Sequence, residues 1–100
     1  MNLIYVGSFF SRLKEITNNE QPLIDAIIRK AEKLEELIKN NDPRIKDVEI
    51  ILWGKKRKVK HFSFIPDLYD IIQTKKNTTI FILYFNYIVD KLLIIDVEKL

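Results

Sequence analysis

Ile80-Phe81-Ile82-Leu83-Tyr84-Phe85-Asn86-Tyr87-Ile88-Val89-Asp90-Lys91-Leu92-Leu93-Ile94-Ile95-Asp96-Val97 is the most apolar stretch of the chain. It is long enough to raise a membrane span. Asn86, Asp90, Lys91 and Asp96 interrupt it, however, and a charge near a bilayer centre costs roughly 2.5–3.5 kcal/mol. Two strands joined by a turn at Asp90-Lys91 bury the same side chains without that cost. Thr79–Val89 and Leu92–Glu98 are therefore expected as strands, and the protein is expected to have no membrane partner.

Working back from this hairpin, the β pattern extends to Pro43. Lys75-Lys76-Asn77 reads as a turn, preceded by a strand over Leu68–Thr74 and a turn at Pro66-Asp67. Before these come a strand over Lys56–Ile65, a tight turn at Gly54-Lys55 and a strand over Val48–Trp53. The first forty residues follow another rule. Leu3–Val6 is a short apolar run ended by Gly7, most simply a first strand. Phe9, Phe10, Leu13 and Ile16 recur at helical spacing and predict a helix over about 8–17. Thr17 and Glu20 have the spacing of a capping box, and Pro22 is tolerated in a first helical turn. Leu23/Ile24, Ile27/Ile28, Ala31, Leu34 and Leu37/Ile38 then mark the apolar face of a second, longer helix. Asn40-Asn41-Asp42-Pro43 ends it. The order β-α-α-β-β-β-β-β specifies an α+β domain, two helices packed on a mostly antiparallel meander.

The chain has 100 residues, 47% hydrophobic and 31% charged, which suits a single domain spanning 1–100 with one core. It contains no cysteine, so thiolate metal sites, disulfides and a thiol nucleophile are excluded. With one histidine, a multi-histidine metal site is excluded as well, and with two glycines no phosphate-cradling loop is available. No cofactor and no metal are expected. Acidic residues are scattered singly, without a paired-carboxylate arrangement. The amino terminus, Met1-Asn2-Leu3-Ile4-Tyr5-Val6, has neither a basic n-region nor a cleavage site, so the expected localisation is cytoplasmic.

The net charge of +3 is local. Residues 41–65 hold seven basic and three acidic side chains, while the flanking segments nearly cancel. Lys55, Lys56, Arg57, Lys58 and Lys60 supply five of those charges. On a strand, Lys56, Lys58 and Lys60 share one side with Phe62 and Phe64, and Arg57, Val59, His61, Ser63 and Ile65 share the other. Such a ladder replaces condensed counterions along a phosphate backbone, which makes these five residues candidates for nucleic-acid binding. Lysines that keep an edge strand from aggregating are the alternative account. His61 is the one imidazole, the side-chain type that trades protons near neutral pH, although no sequence neighbour orients it. The aromatic residues Phe62, Phe64, Tyr69, Phe81, Tyr84, Phe85 and Tyr87 serve either as a base-stacking platform or, for most of them, as core.

Three segments of the second half carry a family resemblance: Leu68-Tyr69-Asp70-Ile71-Ile72, Ile80-Phe81-Ile82-Leu83-Tyr84-Phe85 and Leu93-Ile94-Ile95-Asp96-Val97-Glu98-Lys99. With the order of elements, they make the chain resemble the RelE/ParE toxin superfamily, in particular its HigB-like, phage-derived branch. The resemblance implies attack of a ribose 2′-OH on the neighbouring phosphate of messenger RNA in the ribosome, without a metal, with an antitoxin protein as partner. Ile72 and Phe81 stand where the family has arginines, and Leu100 replaces the final lysine. Charge would then fall to Arg57, Lys58 and Lys99, and proton transfer to His61. A scaffold that kept the fold and lost the cleavage is the other outcome of those replacements. Two further expectations stand beside the enzyme. One is a non-enzymatic viral or plasmid accessory protein binding nucleic acid or an acidic protein surface through residues 55–60. The other is a homodimer pairing through an exposed edge of the meander.

Overall fold

The computed structural model describes residues 2–66 and 79–100. In chain order the elements are β1 (Asn2–Tyr5), α1 (Phe9–Ile16), α2 (Gln21–Glu32), α3 (Leu34–Lys39), β2 (Ile45–Leu52), β3 (Lys55–Phe64), β4 (Phe81–Ile88) and β5 (Lys91–Lys99). The fold is α+β. The strands form one sheet in the order β1-β5-β4-β3-β2. β2 to β5 are antiparallel neighbours, and β1 closes the far edge parallel to β5. The expected strand over Leu68–Thr74, with Tyr69 and Ile72, lies outside the described residues.

The helices cover one face of the sheet. Phe9 and Leu13 of α1, Ile24, Ile27 and Ala31 of α2 and Leu34 of α3 meet Phe62, Phe64, Phe81, Leu83, Phe85, Leu92, Ile94 and Val97 in a single core. Period-2 alternation on the strands and 3.6-residue spacing on the helices put these side chains on facing surfaces. On β5 the alternation is broken on purpose. Phe85 pairs with Ile94 but Tyr84 pairs with Asp96, so Ile95 is an extra, bulged residue. The bulge resets the phase, and Ile94 and Val97, three apart, are both fully buried.

Five sequence expectations are corrected. The last hairpin turns at Val89-Asp90 rather than Asp90-Lys91, because Ile88 pairs with Lys91 and Asp90 takes the positive φ, 61°. The long helix is two, because Lys33 takes turn-like angles (φ −89°, ψ −4°) and its N–H bonds Lys30 O in an i→i−3 contact; Ala31 and Leu34 on either side are both wholly buried. The Thr17–Glu20 capping box does not form. Thr17 instead ends α1, where its buried hydroxyl donates to Leu13 O at 2.6 Å, and Glu20 makes no side-chain cap on α2. β2 starts at Ile45 rather than Val48, since Asp42 accepts hydrogen bonds from both the backbone and the guanidinium of Arg44 and fixes the entry to the strand. The hairpin turn is Trp53-Gly54 rather than Gly54-Lys55: Leu52 pairs with Lys55, and both central residues have positive φ, 53° and 76°. That is the two-residue turn whose twist matches the flanking strands.

Truncating the core at its centre should be costly. Phe85→Ala is expected to lose about 3–5 kcal/mol of unfolding free energy in urea, whereas Ile51→Ala, at a position 74% exposed, should change it by less than about 0.5 kcal/mol.

Candidate nucleic-acid interface

The helix layer ends near Ile45 and Phe62. Beyond them β2 and β3 continue as a two-stranded arm. On its helix side lie the cross-strand rows Asp47/Lys60, Glu49/Lys58 and Ile51/Lys56, and apart from a partly covered Lys60 all of these are exposed. Lys60 Nζ sits 2.7 Å from Asp47 Oδ1. That hydrogen bond holds the Asp47 carboxyl below its ordinary range and raises the Lys60 ammonium, the latter opposed by partial burial. Lys58 faces Glu49 directly across the ladder. The remaining three residues, Lys55, Lys56 and Arg57, have Leu52, Ile51 and Ile50 as cross-strand partners. The five-residue basic run is therefore not a uniform ladder. Lys60 is engaged, Lys58 is opposed by a carboxylate, and uncompensated charge is concentrated at the tip.

The open face of the sheet is concave. In a flat five-stranded sheet the edge strands would lie about 19 Å apart. Here Val6, just past β1 at one edge, lines the same hollow as Leu52 and Trp53 at the tip of the opposite arm. Right-handed twist, increased locally by the bulge at Ile95, coils the sheet enough to bring them together. The hollow measures about 380 Å³ and is walled mainly by apolar residues, with Arg57, Lys58 and Asn86 as its polar members. Val59 contributes to the lining and is 4% exposed, although it faces away from the helices. The Arg57 guanidinium lies 5.5 Å from the centroid of the Trp53 ring, within cation–π range.

His61 is also on the open face, in the row Lys46–His61–Tyr84–Asp96. Its ring centroid is 6.5 Å from that of Tyr84, and its Nδ1 is buried without a hydrogen-bond partner among the described residues. Tyr84 donates its hydroxyl proton to Glu98 Oε2 at 2.9 Å, and burial together with this carboxylate pushes its ionisation up to about 12. The four residues expected to share catalysis do not converge. Arg57 is four residues from His61 along β3, about 13 Å. Lys58 alternates to the helix side. Lys99 pairs with Phe81, which pairs with Phe64, so it sits at the other end of the sheet and follows Val97 on the helix side. Of the aromatic residues, Phe62, Phe64, Phe81 and Phe85 are core; Tyr84 and Tyr87 retain solvent contact, and Tyr69 lies outside the described residues. Among the described residues no group of three histidine, aspartate or glutamate side chains is placed to hold a metal.

Trp53 and Asn86 were not singled out by the sequence. The one available signal was a tryptophan directly before a glycine between two strands, a turn position where a polar residue is the rule. Comparison of the chain with protein-family models, with curated proteins and with solved structures finds no match.

The Tyr84–Glu98 pair fixes a pH dependence. Unfolded tyrosines ionise near 10, whereas folded Tyr84 keeps its proton to about 12. Its contribution to stability is therefore complete below pH 10 and is lost as pH rises to 12. Tyr5, raised by burial and by Glu32, acts in the same direction. Urea denaturation from pH 9 to 12 should show this decline, and Tyr84→Phe should make it shallower. Glu98→Gln should lower the Tyr84 midpoint in an ultraviolet titration.

Proposed function

We propose that this chain binds nucleic acid, RNA in the first instance, through the β2–β3 arm. The observation that carries the reading is the placement of Lys55, Lys56 and Arg57, exposed and without opposing carboxylates, at the free end of an arm that the helices leave bare. Edge protection requires one or two charges along a strand. It does not account for a cluster at a turn beside a concave face. Cations so placed release counterions from phosphates, and their contribution falls steeply with salt.

A second reading is supported by one observation: Arg57 and His61 lie on the same helix-free face of β3. It is the RelE/HigB-like one, metal-independent cleavage of ribosome-bound messenger RNA by a cytoplasmic toxin held by an antitoxin. In it Arg57 stabilises the pentacoordinate phosphate and His61 transfers the proton. Lys58 and Lys99 take no part, since strand alternation turns both side chains to the helix side of the sheet.

The two readings separate in one pair of experiments. In a single-stranded RNA titration, Lys55→Glu/Lys56→Glu/Arg57→Glu is expected to lower the slope of log affinity against log salt by about 2 and to weaken binding strongly. Lys14→Glu/Arg29→Glu/Lys33→Glu, which changes net charge equally on the helical layer, should leave both unchanged. Inducible expression in bacteria tests cleavage. Arrest of growth and translation that is lost in Arg57→Ala or His61→Ala establishes it. Normal growth with soluble protein removes it and leaves binding.

A further inference from the structure

We propose that the Trp53-Gly54 tip takes an unpaired base of a single-stranded nucleic acid, with the Trp53 ring and the Arg57 guanidinium as its stacking surface. The proposal rests on the nucleic-acid reading above and names its ligand class.

Three observations converge at the tip. Trp53 has φ 53° at the first central position of the hairpin turn, a left-handed conformation that is strained for a bulky side chain and that asparagine or glycine adopts far more readily. Burial does not offset that strain, because Trp53 is 69% exposed. A strained, exposed tryptophan in a turn serves what it touches outside the fold. Arg57 then sets the chemistry: its guanidinium over the ring leaves a planar cation beside an aromatic face. The hollow beneath them is lined by Leu52, Leu93 and Ile95 and has the volume of a small-ligand cleft. Asn86 in its lining carries both a donor and an acceptor, and the bond it makes to Lys58 O is long, 3.5 Å, and easily exchanged for a base edge.

In a duplex the base faces are already stacked on one another, and a single ring on a hairpin tip cannot reach them. In a single strand they are free, and each base stacked on an aromatic side chain strengthens binding whatever its identity. Lys55 and Lys56 on the same tip meet the flanking phosphates. The tip is therefore a reader of single-strandedness with little sequence preference.

Trp53 is the only tryptophan in the chain, so its fluorescence reports this site alone. A short oligouridylate should quench it. An abasic oligonucleotide of equal length, the matching duplex and inorganic polyphosphate should quench it far less. Trp53→Asn suits the turn and should melt no lower than the native chain, yet it should bind labelled oligouridylate about 5- to 150-fold more weakly by anisotropy. Equal affinity for abasic and base-bearing strands, or undiminished binding by Trp53→Asn, overturns the stacking proposal while the charge-based reading stands. Absence of binding to every nucleic acid at low salt, with or without a blue-shifted response to anionic lipid vesicles, overturns both.

Discussion

The β4–β5 pair, with its one-residue bulge at Ile95, is the constraint on which the rest of the molecule depends. A regular ladder would send every second residue of β5 to the helices, and Ile94 and Val97 could not both be buried. Inserting Ile95 restores the phase, so α1 has a continuous apolar floor and Arg12 reaches Val97 O from above. The same insertion sharpens the twist of the sheet. Its second consequence lies on the other side: the sheet coils, the open face becomes hollow, and the arm from one edge leans over the residues that follow β1 at the other. Core and candidate site are thus two faces of one backbone irregularity.

Much of this was legible in the residues. The apolar runs Ile80–Phe85 and Leu92–Val97 on either side of a polar turn, and the helical spacing of Leu23 to Ile38, specify strands and helices through burial alone, which is why the α+β class follows from sequence. Where local chemistry competes with tertiary packing, the reading shifts. Thr17 has the spacing of a helix start, but its hydroxyl finds a closer acceptor in Leu13 O within the buried end of α1. The hairpin turn lies one residue earlier than a glycine-opened turn predicts, because tryptophan opens it at positive φ. The bulge leaves no mark in a stretch as uniformly apolar as Leu92–Ile95.

The basic run shows the same limit. Five cations in six residues were visible; how many of them are available was not. That depends on the register of β2 against β3, which sets Asp47 and Glu49 opposite Lys60 and Lys58 and spares Lys55, Lys56 and Arg57. Likewise His61, Arg57, Lys58 and Lys99 are chemically suitable for phosphoryl transfer as residue types, but strand alternation and distance divide them between two faces and two ends. What geometry assembles instead is charge at a tip, an aromatic ring beside it and a hollow below. That combination suits holding a flexible polyanion more than cutting it.

The proposed binding mode lays nucleic acid along the arm tip and the concave face. The most direct measurement is a nitrogen–proton NMR titration of the isotopically labelled chain with a short single-stranded RNA. The largest shifts are expected on the Trp53 indole, Arg57, Asn86, Leu93 and Ile95, with α1 to α3 nearly silent. Shifts concentrated on the helical layer, or none at the Trp53 indole under saturating RNA, would contradict it.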